Sequence, residues 1–151
     1  MNKAKPSKRQ TLEQMRYWAA YKFAQEAKGK PGDFSRYVNL AKKFPAMVNA
    51  NGLGQALAYL AAKRTKKGDS AEELLLKHLG RWLTRSDDNR NFYYAPPYAV
   101  DYAEGVLLAN IRENNSRTYL RATVEALQLL NYLKLVASGL ETEPETKTEG
   151  A

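Results

Sequence analysis

The apolar residues of this 151-residue chain recur at intervals of three and four along almost its whole length. In one such segment, Leu12, Met15, Ala19, Phe23 and Ala27 fall on a single face of a helix. No segment alternates apolar and polar residues for long enough to predict a strand. The sequence therefore predicts an all-α fold, a single helical bundle of about five to seven helices with no sheet.

Capping residues and helix breakers predict where the helices begin and end. Thr11 and Ser70 each stand three residues before a Gln or Glu, which is the spacing of a capping box and predicts a helix start. Asp33 is a favourable N-cap residue and predicts the start of the second helix. Pro45 has no N–H to donate and predicts an interruption of the second helix, followed by a short turn. Gly139 predicts the end of the last helix, which should span about residues 117–138.

These boundaries divide the chain into one folded domain with a short segment at each end. We predict a flexible basic arm over residues 1–9 and the helical bundle over residues 10–139. Residues 140–151 are expected to form a disordered acidic tail. No apolar run approaches the roughly 18 residues that cross a bilayer, and the first ten residues lack the apolar core of a signal peptide. We therefore expect no membrane association and a cytoplasmic location.

The charge of the chain is concentrated in its body. The whole sequence carries a formal net charge of +8. Four of the acids lie in the last twelve residues, so residues 1–139 hold 23 Lys and Arg against 12 Asp and Glu, a net +11. Such a body attracts polyanions, of which nucleic acid is the commonest in a cell, although a protein that is merely basic and soluble has the same composition.

The last helix carries two apolar faces. Residues such as Ala126, Leu130 and Leu133 share one face, whereas Leu120, Val124 and Leu135 lie well round the cylinder at 100° per residue. Two apolar faces require two partners. Either the helix is central in its own bundle, or it packs inside on one face and uses the second as a subunit interface.

The sequence contains no constellation typical of an enzyme. The chain has no cysteine, which excludes disulfides, thiolate metal sites and cysteine nucleophiles. His78, the single histidine, lies between apolar positions of a helix and is expected to be a partly buried structural residue. Gly52 and Gly54 belong to neither a dinucleotide-binding loop nor a P-loop. We predict no catalytic residues, no metal and no cofactor, while a metal-independent ribonuclease remains an alternative.

Aromatic and basic side chains are interleaved in one predicted loop. Residues 89–94 read Asn-Arg-Asn-Phe-Tyr-Tyr and combine amides, a guanidinium and three rings. These groups suit phosphate contact and base stacking. The same rings would equally suit the bundle core or a protein interface.

Residues 44–60, Phe-Pro-Ala-Met-Val-Asn-Ala-Asn-Gly-Leu-Gly-Gln-Ala-Leu-Ala-Tyr-Leu, resemble the signature of the small subunit of the type III-B CRISPR effector, the Cmr complex. The preceding Lys42-Lys43 and the helix over residues 119–127 support this resemblance, which covers most of residues 10–139. It implies an all-helical, non-catalytic subunit that stacks in several copies along a ribonucleoprotein. The implied partners are guide RNA, target RNA, the backbone subunits of the complex and other copies of the chain.

The cations that flank the signature are the RNA-binding candidates under this resemblance. They would contact phosphates without reading sequence, because guide pairing supplies specificity. The candidates are Lys42, Lys43, Lys63, Arg64, Lys66 and Lys67, followed by Arg16, Arg117 and Arg121. Two other functions stay open at this point: the small subunit of the related type III-A complex, from which residues 51–53 argue away, and a free-standing nucleic-acid-binding regulator.

Overall fold

The structure, a computed structural model, describes residues 8–30, 33–84, 103–113 and 115–142. Within these ranges the chain forms six helices and no strand. The helices are α1 (Lys8–Gly29), α2 (Phe34–Asn51), α3 (Leu53–Ala62), α4 (Ala71–Leu83), α5 (Ala103–Glu113) and α6 (Ser116–Thr142). The predicted all-α bundle is confirmed. None of the described helices is sufficiently long and apolar to span a bilayer.

Helix α6 is the longest element and packs along both α1 and α2. It runs parallel to α1, since Arg16 contacts Glu125 and Lys28 contacts Leu140. Helix α2 runs antiparallel to α6, since Ser35 contacts Glu141 at one end and Gly54, just past α2, contacts Tyr119 at the other. The chain reverses at Gly52 into α3, and α5 packs on α4. Leucines of α3, α4 and α6 fill the space between the helices, so one continuous apolar core supports the whole bundle.

Two predicted helix caps are present. The Ser70 hydroxyl accepts a hydrogen bond of 3.0 Å from the Glu73 backbone N–H, and the Asp33 carboxylate accepts one of 3.4 Å from the Arg36 N–H. Each cap satisfies a first-turn donor that has no partner inside its own helix. The sequence therefore located the starts of α4 and α2 correctly.

Helix α2 does not break at Pro45, which corrects the predicted interruption and turn. The helix runs through the proline to Asn51. Ala41, Phe44 and Val48, on either side of Pro45, are all buried in the core. Burial of these apolar side chains outweighs the one backbone hydrogen bond that a proline removes.

The first and last helices extend further than the sequence predicts. Helix α1 begins at Lys8 because residues 8–10 are good helix formers, so the end of the predicted arm is helical and residues 1–7 lie outside the described ranges. Helix α6 continues past Gly139 to Thr142. Leu140 is buried and its carbonyl accepts a 2.8 Å hydrogen bond from Lys28, which holds the extra turn in place. Residues 143–151 of the predicted tail are not among those described.

The reversal between α2 and α3 depends on a glycine and a tyrosine. Gly52 has φ +89° and ψ 157°, a conformation that is essentially restricted to glycine. Two residues later, the Gly54 N–H donates a 2.8 Å hydrogen bond to the hydroxyl of Tyr119 on α6. The start of α3 is therefore fixed beside the start of α6.

Candidate nucleic-acid interface

The four cations at residues 63–67, here called the basic loop, follow α3 rather than forming its last turn. The helix ends at Ala62, and the Lys63 N–H closes a tighter turn on the Leu60 carbonyl at 3.1 Å. Thr65 donates a hydrogen bond of 2.9 Å to Asp69, which orders the turn. Every residue of the basic loop is exposed. The loop thus presents four cations to solvent on a defined backbone.

Lys42 and Lys43 lie on the helix hairpin that also carries the basic loop. They are exposed and lie in the middle of α2 because that helix continues through Pro45. Helix α3 folds back along α2, and Lys63 and Arg36 line the same cavity. The structure therefore places six of the predicted RNA-binding cations on one helix hairpin and its following loop.

Arg117 and Arg121 lie at the opposite end of α3 from the basic loop. Tyr119, which is between them in sequence, contacts Gly54 at the start of α3, whereas the basic loop follows its end. Ten helical residues separate these ends, a length of about 15 Å. Both arginines are exposed and share the outer face of α6 with Leu120 and Val124.

Arg16 is paired with Glu125 between helices, which argues against its predicted role as an RNA contact. Its side chain is only 14% exposed and forms a bidentate ion pair with Glu125, with Nε and Nη2 each 2.7 Å from a carboxylate oxygen. These hydrogen bonds raise the pKa of Arg16 above its ordinary value. Trp82 donates a further hydrogen bond of 3.0 Å to the same carboxylate. Arg16 therefore joins α1, α4 and α6 inside the bundle.

The second apolar face of α6 points to solvent. Leu120, Val124 and Leu135 are 63%, 59% and 68% exposed. Helical spacing places all three within about 60° of one another around α6. Side chains this apolar and this exposed on one stripe are typical of an interaction surface. The three residues are here called the α6 outer face.

Tyr17 and Trp18 form an exposed aromatic patch on α1 that was not predicted from the sequence. Tyr17 and Trp18 are more than half exposed, the Tyr17 ring lies 5.5 Å from that of Tyr132 on α6, and Lys22 lies 5.1 Å above the Trp18 ring. Helical spacing places both rings away from the apolar face of α1, and this spacing could have indicated that they are exposed. The predicted aromatic loop, residues 89–94, is outside the described ranges.

His78 is more deeply buried than predicted and belongs to a polar network in the core. The Tyr37 hydroxyl lies 2.6 Å from Nδ1, and Nε2 lies 2.7 Å from Oε1 of Glu26. Burial lowers the pKa of His78, while the hydrogen bond with His78 lowers the pKa of Glu26 to about 2. A neutral ring that accepts from Tyr37 and donates to Glu26 satisfies both contacts. Both ring nitrogens are therefore occupied by structural partners.

The described residues contain no group of three His, Asp or Glu side chains that could hold a metal ion. Asp33 and Asp69, which line the same cavity as Lys63, are engaged in a helix cap and a turn. The exposed cations of this surface can attract phosphate, and the exposed side chains of α6 can make apolar contacts.

The sequence and the fold are both similar to members of one protein family. Residues 12–140 match the sequence model of the family described as CRISPR-associated protein (Cas_Cmr5). The fold is similar to the X-ray crystal structure of a CRISPR-associated Cmr5 family protein from Thermus thermophilus. The two are 27% identical with a TM-score of 0.62, and the match covers 85% of this chain and 96% of that one.

Proposed function

Since this chain belongs to the Cmr5 family of CRISPR-associated proteins and is a small subunit of the type III-B Cmr complex, we propose that it is a non-catalytic subunit that lines the groove for guide and target RNA. Family membership argues against the type III-A subunit and against a free-standing regulator. Several copies would stack along the RNA in the cytoplasm, each contributing a short basic surface.

The observation that carries this proposal is the exposed basic loop. Four cations at residues 63–67, with Lys42 and Lys43 on the adjoining helix, face solvent, and within the described ranges none of the six forms an ion pair with a carboxylate. Cations of this kind contact phosphate oxygens and carry no base information. This fits a subunit of a complex in which guide pairing supplies the sequence specificity.

The α6 outer face supports assembly with other protein subunits. The three side chains of this face, Leu120, Val124 and Leu135, are exposed and so contribute little to the stability of the isolated chain. Burial against another copy or a backbone subunit would remove this apolar area from water, at roughly 25 cal/mol per Å². A modest basic surface also binds a long RNA more tightly when several stacked copies share it.

The non-catalytic role is supported by what the buried polar groups do. His78 is held between Tyr37 and Glu26, and Glu125 between Arg16 and Trp82, so these groups serve packing. A general base must be within reach of a substrate proton. Neither His78 nor Glu125 meets that requirement, because both are enclosed in the core.

Purification of the assembled complex tests this proposal. The tagged chain is co-expressed with the other effector genes of its host and isolated, and the bound RNA is sequenced. We expect a large ribonucleoprotein that contains guide RNA and several copies of this chain per complex. Recovery of the chain consistently free of guide RNA and of other subunits would contradict the proposal.

A separate assay addresses catalysis. The purified chain is incubated with labelled RNA, alone and with its partner subunits. We expect no cleavage by the isolated chain. Cleavage by the isolated chain would identify it as a ribonuclease instead, provided that a single substitution in the basic loop abolishes cleavage and the variant still binds RNA.

A further inference from the structure

The aromatic patch on α1 borders a cleft of about 360 Å³ that the proposed function does not use. The described residues that line this cleft are Glu13, Gln14, Tyr17, Trp18 and Tyr132, so four side chains of α1 meet one of α6. The volume is near the lower end of the range of ligand sites, roughly 300–1,000 Å³. The chemistry of the lining indicates which group the cleft would accept, and it is here called the aromatic cleft.

Three aromatic rings dominate the lining of the aromatic cleft. Tyr17 and Trp18 are 56% and 60% exposed, and the Tyr17 ring lies 5.5 Å from that of Tyr132 across the two helices. The face of an aromatic ring is negative and attracts a cation within about 6 Å of its centroid. Trp18 already shows this attraction, because Nζ of Lys22 lies 5.1 Å from the centroid of its ring.

Glu13 adds a formal negative charge to these rings. It is exposed and forms no ion pair with any other side chain that the structure describes. Glu13 precedes Tyr17, and Gln14 precedes Trp18, by four residues, so helical spacing places the carboxylate and the amide beside the rings. Both groups offer oxygen atoms that accept hydrogen bonds.

Two cations of α1 are close in sequence, but neither lines the aromatic cleft. Lys22 lies over the Trp18 ring, and Arg16 is bound to Glu125. The hydrogen bond with Glu125 and, to a smaller extent, the charge of Glu13 raise the pKa of Arg16. In a chain of net charge +8, the described lining of this cleft is therefore acidic and aromatic, with no cation.

The aromatic cleft adjoins the α6 outer face. Leu135 follows Tyr132 by three residues, so the two side chains are neighbours on the surface of α6. Leu135 is 68% exposed. A protein that covers Leu135 would therefore lie beside the cleft.

We propose that the aromatic cleft receives an arginine side chain of a neighbouring protein subunit. Its guanidinium would stack on the rings of Tyr17 and Trp18 and donate hydrogen bonds to the Glu13 carboxylate. Arginine suits this lining better than lysine, because a planar guanidinium stacks on a ring and donates bidentately to a carboxylate. The inference rests on the proposed function only in taking the partner from the same complex.

The charge of the lining favours a protein partner over RNA. A base could stack on the same rings. Its phosphate, however, would be repelled by the Glu13 carboxylate and would meet no cation among the described residues of the lining. The basic loop, where four cations are exposed, is the better place for phosphate.

Titration of the isolated full chain with two matched ligands tests the cleft apart from the complex. Acetyl-arginine amide carries the guanidinium, and acetyl-citrulline amide replaces it with a neutral urea of nearly the same shape. NMR signals of the Trp18 indole and the Gln14 amide report binding. We expect the arginine ligand to bind about tenfold more tightly. Equal affinity for the two ligands, or tighter binding of adenosine 5′-monophosphate than of the arginine ligand, would overturn the proposal.

Substitutions separate the contributions of the carboxylate and the rings. Glu13→Gln should weaken the arginine ligand about threefold and leave the citrulline ligand unchanged. Glu113→Gln, which removes an exposed acid of α5, should change neither affinity. Tyr17→Leu with Trp18→Leu should abolish the preference for arginine, whereas Tyr59→Leu on α3 should retain it. An unaltered preference in both cleft variants would contradict the proposal, and Glu13→Gln decides alone if the double variant fails to fold.

Photo-crosslinking identifies the occupant in the reconstituted complex. Gln128, which is exposed on α6 one turn before Tyr132, is replaced by p-benzoylphenylalanine, and the cross-linked products are sequenced by mass spectrometry. We expect an arginine-containing peptide from a backbone subunit or from a second copy of the chain. Cross-links to RNA alone, or none, would overturn the proposal. The proposed function would be unaffected by that failure, since the RNA contacts of the basic loop do not involve the aromatic cleft.

Discussion

Arg16 on α1 and Glu125 on α6 form a bidentate ion pair across 109 residues of sequence, with both N–O distances at 2.7 Å. Because Trp82 donates to the same carboxylate, three helices meet at one buried charge. Removal of one partner leaves the other charge uncompensated in the core. The pair is therefore a structural junction of the bundle.

Replacement of Arg16 by Met is expected to destabilise the chain by about 3 kcal/mol, because Glu125 then keeps its charge without its ion-pair partner. Urea denaturation followed by circular dichroism measures this change. The same variant, at a temperature where it is folded, should show the unaltered salt dependence of RNA binding. A flattened salt dependence with unchanged stability would restore Arg16 as an RNA contact.

Replacement of Lys66 and Lys67 by Ala should weaken RNA binding and flatten its salt dependence. Each lost phosphate contact on single-stranded RNA reduces the slope of log K against log salt by about 0.7, so the pair should reduce it by about 1.4. Filter binding across a salt series gives the slope, and the helical circular dichroism spectrum should not change. Arg112→Ala with Lys134→Ala removes equal charge elsewhere and should reduce the slope far less. Equal slopes in the two double variants would exclude a specific role for the basic loop.

Replacement of Leu120, Val124 and Leu135 by Ser should prevent incorporation of the chain into the complex. The stability of the isolated chain should change by no more than about 0.5 kcal/mol per substitution, because the three side chains are already exposed. Size-exclusion chromatography of the reconstituted complex reports incorporation. Tyr59→Ser changes an exposed apolar residue of α3 and serves as the control. Normal assembly of the triple variant would show that the α6 outer face is not an interface.

The buried hydrogen bonds of His78 with Tyr37 and Glu26 should make the folded chain less stable in two ranges of acidic pH. Burial lowers the pKa of His78, so below about pH 6.5 the unfolded chain binds a proton that the folded chain resists, and stability decreases as the pH falls. The pKa of Glu26 is lowered from 4.5 to about 2 in the folded chain. Its ionised carboxylate therefore stabilises the fold above pH 4.5, and this stabilisation is lost as the pH falls from 4.5 towards 2.

Thermal unfolding from pH 7.5 to 5 measures the first of these ranges. His78→Gln should unfold at a lower temperature throughout, because it breaks the contacts with Tyr37 and Glu26. Its midpoint should nevertheless change less between pH 7.5 and 5 than that of the unaltered chain. A parallel pH profile in both proteins would show that His78 does not govern this range.

Local features of the sequence were sufficient for the all-helical fold class and for the starts of two helices. Ser70 and Asp33 cap α4 and α2 as expected, since a cap involves groups only three residues apart. The stripe of Leu120, Val124 and Leu135 could be predicted as well, because helical spacing alone places those residues together. That this stripe is exposed rather than buried in the bundle is shown only by the structure. The same locality explains why the family resemblance could be identified from one contiguous segment.

Tertiary packing decided the remainder. Pro45 stays inside α2 because Phe44 and Val48 are buried against other helices, and α6 passes Gly139 because Leu140 packs and Lys28 bonds its carbonyl. The pairing of Arg16 with Glu125 could not be predicted, because the two residues are 109 positions apart in sequence. Contacts at such separations depend on how helices meet in three dimensions. Sequence periodicity determined which residues share a helix face, and only the fold determined what that face meets.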